Sequence, residues 1–328
     1  MTGYVNPSRP RRVVGRIRAT GFAVLALAAT VTGLSGTAAA PAAATVDPRS
    51  YQGVYAGFPA SNARAGGTLS CPPGRKAVAG GAYLPASDGA LTSLAPTADG
   101  SGWYVAARTD ASTGRELTAF GMCVPAAQVA AASTVVVRDR RDRASFQVRR
   151  SCPAGSLALA GGGFLHRRGE GPDPGDPAGG LGLLSLPTAD GTGWEYAASH
   201  SRASGHRDHT FVLRCLPAAE LPGAVGVTSV IPIPARRTRG LVPVPVAGVA
   251  HCPAGTAVYA GGGAFTKPNG QRIGGLSTSA PSFDGKAWLV AGTGPGGGTL
   301  IVTARCVARS WVLTPHRGAA GRAGPGAQ

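Results

Sequence analysis

Residues 152–163 read CPAGSLALAGGG, and this stretch decides the fold because the chain contains it in three versions. Residues 71–82 read CPPGRKAVAGGA, and residues 252–263 read CPAGTAVYAGGG. Each version has Cys-Pro-x-Gly and then a glycine cluster that begins nine residues after the cysteine. Such self-similarity indicates a repeat architecture, in which neighbouring copies bury a core that no single copy can bury alone.

Each copy continues to a turn that ends in tryptophan and then to a second cysteine. The turns read PTADGSGW at residues 96–103, PTADGTGW at 187–194 and PSFDGKAW at 281–288. The closing cysteines lie 20, 21 and 18 residues after the tryptophans. We therefore place three repeats, at about residues 51–125, 133–217 and 226–308, in one domain that spans residues 45–312.

The local patterns predict strands throughout this domain. Runs such as residues 103–107, 211–215 and 300–303 are short, apolar or β-branched, and bounded by Gly, Pro, Asp and Ser. Two further strands are predicted before each opening cysteine and four after it. The Asp-Gly steps predict turns, and the glycine clusters predict bulges or close approach of two backbones. The chain is thus expected to be all-β.

Composition and the first 44 residues bound the class of protein. A hydrophobic fraction of 43% excludes a disordered chain, and the 51 glycines show no collagen period. Residues 1–44 read as a signal peptide, with five arginines, an apolar core too short to span a bilayer, and small residues at the cleavage region. We expect a secreted protein with no transmembrane segment, whose net charge falls from +17 to +12 on cleavage. Residues 313–328 are predicted to be a disordered tail.

The six cysteines are expected to form disulfides, because an exported chain meets an oxidising compartment. If each repeat is self-contained, the pairs are Cys71 with Cys123, Cys152 with Cys215, and Cys252 with Cys306. No Cys-x-x-Cys or Cys/His pair has the spacing of a zinc site, so no metal is predicted.

The full repeat pattern resembles the repeats of secreted actinobacterial proteins of unknown function, over most of residues 50–308. It is more distantly similar to the vitelline membrane outer layer protein family, whose three repeats form a β-prism. That resemblance implies three antiparallel sheets, with a four-stranded Greek-key sheet on each face around a pseudo-threefold axis. A β-trefoil and three small tandem β domains are the alternatives.

Two sets of residues are candidates for ligand binding. Trp103, Trp194 and Trp288 occupy equivalent places and have two interpretations, as sugar-stacking platforms or as anchors of the core. Arginines between the leading strands of repeats 2 and 3 form a candidate surface for anionic polymers, or else ordinary solvated loops. These arginines are Arg138, Arg140, Arg141, Arg236 and Arg237.

Catalytic signals are sparse. The sequence has no Gly-x-Ser-x-Gly, no His-Glu-x-x-His and no dinucleotide fingerprint, so we expect no enzyme and no cofactor. His200, His206 and His209 with Asp208 form the one histidine cluster, but a hairpin tip gives no preformed geometry for a metal. Two functions remain as hypotheses. One is a non-catalytic module that binds cell-wall or environmental glycans, and the other is a structural or surface-coat protein.

Overall fold

Each repeat has two strands before its opening cysteine and four principal strands after it, as predicted. The computed structural model describes residues 52–59, 64–84, 89–109, 116–139, 145–167, 180–200, 207–235 and 243–313. Repeat 1 contains β1 (Gln52–Pro59), β2 (Arg64–Ser70), β3 (Arg75–Tyr83), β4 (Gly89–Pro96), β5 (Gly102–Thr109) and β6 (Glu116–Pro125). Repeat 2 contains β7 (Ser133–Asp139), β8 (Ser145–Ser151), β9 (Ser156–Arg167), β10 (Gly180–Pro187), β11 (Gly193–His200) and β12 (Arg207–Pro217).

Repeat 3 adds one short strand to the same plan. It contains β13 (Val225–Pro232), β14 (Pro243–His251), β15 (Thr256–Thr266), β16 (Arg272–Ile273), β17 (Leu276–Pro281), β18 (Ala287–Pro295) and β19 (Thr299–Ala308). A short helix, α1 (Arg309–Leu313), follows, and two 3-10 turns lie at Ala126–Val129 and Ala218–Glu220. The described residues belong to one unit, Val46–Gln328. The predicted signal peptide lies outside them, as do residues 314–328 of the predicted tail, whereas Leu313 ends helix α1.

The strands form three antiparallel sheets, which confirms the all-β, β-prism-like arrangement. Sheet I has the order β1-β6-β3-β17-β18-β14, sheet II has β2-β5-β4-β9-β12-β7, and sheet III has β13-β19-β15-β10-β11-β8, with β16 paired to β15. Each sheet takes three of these strands from one repeat and three from another. Separate tandem domains are excluded by this sharing. The sheets are also wider than the four-stranded faces that the resemblance implied, because leading strands extend both edges of every sheet.

The disulfides staple each repeat internally, with the predicted pairing. The bonds join Cys71 to Cys123, Cys152 to Cys215, and Cys252 to Cys306, across sequence separations of 52, 63 and 54 residues. Each bond links the cysteine directly after the second strand of a repeat to the last strand of that repeat. Closing loops of this length stabilises the folded state by about 4 kcal/mol per bond in the chain-entropy description.

The glycine clusters allow neighbouring repeats to join. A Cβ on Gly81 would lie 2.1 Å from the carbonyl oxygen of Ser279, and one on Gly262 would lie 1.9 Å from that of Ser185. In repeat 2, a Cβ added to Gly162 would likewise lie 1.9 Å from the carbonyl oxygen of Leu94. The glycines therefore mediate close backbone approach, which is one of the two roles predicted for them. The bulges lie just before them, as between Val258 and Ala260.

Adding one methyl group at this contact should separate two repeats. We expect Gly262→Ala to lower the free energy of unfolding by about 3 kcal/mol, because the new Cβ would overlap rigid backbone. Gly255→Ala is the matched control. Gly255 has a φ of +78° but nothing within 4 Å of an added Cβ, so it should cost only about 1 kcal/mol of backbone strain. Urea unfolding of the oxidised proteins measures both, and equal losses would contradict the proposed role of Gly262.

Candidate binding surface

The three repeat tryptophans are core residues, so their prediction as ligand-binding platforms is wrong. Trp103, Trp194 and Trp288 are 2%, 2% and 1% exposed. Each ring fills the space beside the first glycine of a cluster, where a Cβ on Gly80 or Gly261 would lie 2.2 or 2.3 Å from indole carbon. The strand geometry points the rings inward, and the missing side chain gives them room. The alternative interpretation, that they anchor the core, is confirmed.

Indole hydrogen bonds follow the repeat pattern with one exception. Trp194 Nε1 donates to Ser185 Oγ at 2.9 Å, and Trp288 Nε1 donates to Ser279 Oγ at 3.1 Å. In repeat 1 the equivalent position is Leu94, and Trp103 Nε1 has no partner among the described residues. The tryptophans thus differ in hydrogen bonding but share the same buried location.

The Asp-Gly steps that recur in the three repeats form turns in which the aspartate side chain accepts hydrogen bonds from within the turn. Asp99 Oδ1 accepts hydrogen bonds from the Ser101 amide at 3.0 Å and the Thr97 hydroxyl at 2.7 Å. The Ser101 amide lowers the pKa of Asp99 to about 2, and the Thr188 hydroxyl does the same for Asp190. The pKa of Asp284 is also lowered, chiefly by its bond from the Ser282 hydroxyl. Each of these carboxylates therefore accepts hydrogen bonds from residues of its own turn.

Two of these turns receive a buried arginine from the next repeat. Arg214 is 4% exposed, and its Nη1 donates to the Ala77 carbonyl at 2.7 Å beneath the turn of repeat 1. Its guanidinium lies where a Cβ on Gly100 would be. Desolvation lowers the pKa of Arg214, and attraction to Asp99 opposes that shift. We call this contact an arginine clasp.

The second arginine clasp joins repeat 3 to repeat 2. Arg305 is 4% exposed and lies where a Cβ on Gly191 would be. Its Nη1 donates to the Ala189 carbonyl and its Nε to the Tyr259 hydroxyl, both at 3.4 Å. Burial raises the pKa of Tyr259, which keeps that hydroxyl neutral and able to accept the bond.

The third junction, between repeats 3 and 1, is built differently. Met122 takes the place of the arginine, directly before Cys123. Phe283, in the turn of repeat 3, packs edge-on against Phe120 with ring centroids 5.0 Å apart. Tyr55 on β1 stands opposite Phe120 in register. We call Tyr55, Phe120 and Phe283 the aromatic surface.

The aromatic surface is open to solvent. Tyr55 is 78% exposed and Phe283 is 84% exposed, whereas Phe120 is half-buried between them. A small cleft of about 120 Å³ lies among these rings, Val54, Met122 and Ser282. None of the described residues that line it is charged. Contiguous exposed apolar side chains often mark binding sites, whereas single exposed apolar side chains are common and need no explanation.

The other two junctions show that the fold does not require these rings. At the position of Phe283 the other turns have Ala98 and Ala189. Phe120 corresponds to Val212 and Thr303, counting back from each closing cysteine. The residues opposite them, where repeat 1 has Tyr55, are Val136 and Thr228. The other two junctions thus have Ala, Val or Thr at the three positions where the junction of repeats 3 and 1 has aromatic rings.

All three aromatic side chains that are exposed among the described residues lie on sheet I. They are Tyr55, Tyr83 and Phe283. Sequence reasoning missed all of them, because they do not repeat. The one available signal was PSFDG in the third turn, where Phe283 interrupts the PTADG pattern of the other two.

The predicted basic surface is described only in part. Arg138 lies on the edge strand β7 and is exposed. Arg140, Arg141, Arg236 and Arg237 lie outside the described residues, so the basic surface stays a prediction.

The histidine cluster is also only partly described, and its described members are buried. His209 is 1% exposed and stacks on Phe146 with ring centroids 5.0 Å apart, and Asp208 is 4% exposed. His206 lies outside the described residues, as does the side chain of His200. Within the ranges given above, no group of three His, Cys, Asp or Glu side chains is placed to hold a metal ion.

No protein-family model matches the chain, and no curated protein matches it. Among the residues that the structure covers, no helix is long and apolar enough to cross a membrane.

The low pKa values of the turn aspartates predict acid sensitivity. Their folded pKa lies below the ordinary value of 3.8, so their stabilisation is complete above about pH 4 and is lost as the pH falls through about 2. The double variant Asp99→Asn, Asp190→Asn should therefore show a smaller loss of stability across this window than the wild type. Chemical denaturation at several pH values measures the slope. Glu220→Gln, outside the turns, is the control, and a double variant with the wild-type slope would refute the assignment.

Proposed function

We propose that this protein is secreted and acts as a non-catalytic module that binds a neutral glycan through the aromatic surface. The observation that carries the proposal is the clustering of exposed aromatic side chains on sheet I, where the repeat scaffold does not need them. Three disulfides support an extracellular location, because such bonds persist in oxidising compartments.

Exposed aromatic rings suit sugars for a physical reason. A ring is rigid, so it offers a large apolar face at little cost in conformational entropy. The C–H groups of a pyranose pack on such a face, while its hydroxyls stay hydrated. Because the described residues that line the cleft carry no charge, the favoured ligand is neutral, and its binding should resist salt.

Substitutions borrowed from the other repeats test this proposal without disturbing the fold. Phe283→Ala introduces the residue of repeats 1 and 2, and Tyr55→Val introduces the residue of repeat 2. We expect each to weaken retention on cellulose or chitin about tenfold, which is the loss of one stacking contact of about 1.4 kcal/mol. Pull-down of the mature protein at low and high salt, with quantified free protein, measures this.

Val136→Ala is the matched control, since Val136 is the exposed counterpart of Tyr55 on sheet II. It should bind as the wild type does, and all variants should keep the wild-type Tm. If retention disappears at high salt and ignores both aromatic substitutions, binding belongs to the arginine loops. Failure of every polymer to retain the wild type would remove the glycan proposal.

A structural or surface-coat role is the second candidate. The arginine clasps favour it because they tie neighbouring repeats together, and the disulfides favour it because they close each repeat internally. In this case the oxidised mature protein should resist trypsin for hours despite its many arginines, and reduction should make it degrade quickly. Mass spectrometry of the fragments measures both states. Rapid internal cleavage of the oxidised protein would count against this role.

A further inference from the structure

A second feature of sheet I is an open groove of about 470 Å³ beside the junction of repeats 1 and 3. It lies over β3, β17, β18 and the edge strand β14. Among the described residues its lining is uncharged: Tyr83, Leu84, Gly89, residues 245–247, Ser277, Thr278 and residues 291–293. We call it the sheet I groove.

The counterparts of Tyr83 on the other two sheets are buried. On sheet II the counterpart of Tyr83 is Phe164, which is 6% exposed and packs against Tyr104 with ring centroids 5.2 Å apart. On sheet III the counterpart is Ala264, which is buried in a cluster with Leu184 and Leu186. On sheet I, by contrast, Tyr83 is 44% exposed and lines the groove. Sheet I therefore differs from the other two sheets in the exposure of the residue at this position.

A buried hydroxyl in the groove has no partner. Thr278 is 6% exposed, and its Oγ1 makes no hydrogen bond among the described residues. Its counterpart in repeat 1, Ser93, accepts a bond from the Leu165 amide at 3.4 Å, and its counterpart in repeat 2 is the apolar Leu184. An unpaired buried hydroxyl is costly. A ligand in the groove would supply the missing partner, provided that rotation about χ1 brings the hydroxyl to the staggered position that faces the ligand.

The groove and the aromatic surface lie on one face of sheet I. Tyr83 pairs with Thr118 on β6, and Thr118 shares the face of Phe120, two residues along the strand. Diagonal neighbours of this kind are about 7–8 Å apart. A single extended oligosaccharide can therefore reach both places.

We propose that the sheet I groove binds the same neutral polysaccharide as the aromatic surface, as one extended chain, with Thr278 as a hydrogen-bonding residue. This inference rests on the proposed function and adds that the ligand is a linear polymer rather than a single sugar. The described lining offers no positive charge, which disfavours acidic glycans because they would lose hydration without gaining a counter-charge. The open shape of the groove lets a long chain lie across the sheet without threading its end.

Titration calorimetry with cello-oligosaccharides and chito-oligosaccharides of two to six sugars tests the inference. Affinity in one series should rise at least tenfold from the disaccharide to the hexasaccharide. Thr278→Leu, which installs the residue of repeat 2, should abolish that rise and leave the disaccharide affinity unchanged. Thr278→Ser, which installs the residue of repeat 1, should preserve the rise. Thr278→Val should lower the hexasaccharide affinity about tenfold without lowering the Tm, because it removes a hydroxyl that has no partner in the free protein.

The outcomes separate this inference from the function on which it rests. Binding that is independent of length, or unaffected by Thr278→Leu, but still lost with Phe283→Ala, overturns the groove and leaves the aromatic surface. Absence of binding at every length, together with no retention on either polymer, overturns both. If Thr278→Leu fails to fold, Ala247→Glu at the exposed rim of the groove takes its place with the same expected loss of length dependence.

Discussion

The structure depends on the close approach of two backbones at the second glycine of each cluster. At Gly81, Gly162 and Gly262, a carbonyl oxygen of the neighbouring repeat lies within 2.1 Å of the place that a Cβ would occupy. This contact joins two three-stranded halves from different repeats into one six-stranded sheet. It also leaves each repeat divided between two sheets, so that no repeat can complete its packing alone. The disulfides stabilise each repeat, but they do not join one repeat to another.

The three junctions between repeats are not built alike, because two contain an arginine clasp and the third does not. Arg214 and Arg305 bury a charge between repeats, where backbone carbonyls satisfy part of its hydrogen bonding and Asp99 supplies a nearby opposite charge for the first of them. Losing one partner of such a contact is expensive, because it leaves a buried charge uncompensated. The junction of repeats 3 and 1 avoids that cost with Met122. Aromatic residues line the cleft beside Met122, and the other two junctions have none at the corresponding positions.

The residues that point to a function are those that depart from the threefold repeat, not those that recur in it. Residues that recur three times, such as the tryptophans and the turn aspartates, are explained by packing and by turn hydrogen bonds. Residues that occur once on a scaffold that does not need them require another explanation. Tyr55, Phe283 and the open groove beside Thr278 are of this second kind, and all of them lie on the same sheet.

Much of the fold could be predicted from the chain alone. The spacing of cysteines, glycines and Asp-Gly steps sufficed for the three repeats, the strand count and the disulfide pairing, because these are local features or pairings within one repeat. The sequence did not decide whether each tryptophan faced solvent or the core, since both faces of a strand carry apolar residues in a chain this rich in alanine and valine. Only the tertiary structure settled that question, by placing a glycine beneath each ring. It alone also brought β1, β6 and the turn after β17 together, because that junction joins residues more than 150 positions apart. Contacts at such distances follow from how repeats close on one another, which no local pattern encodes.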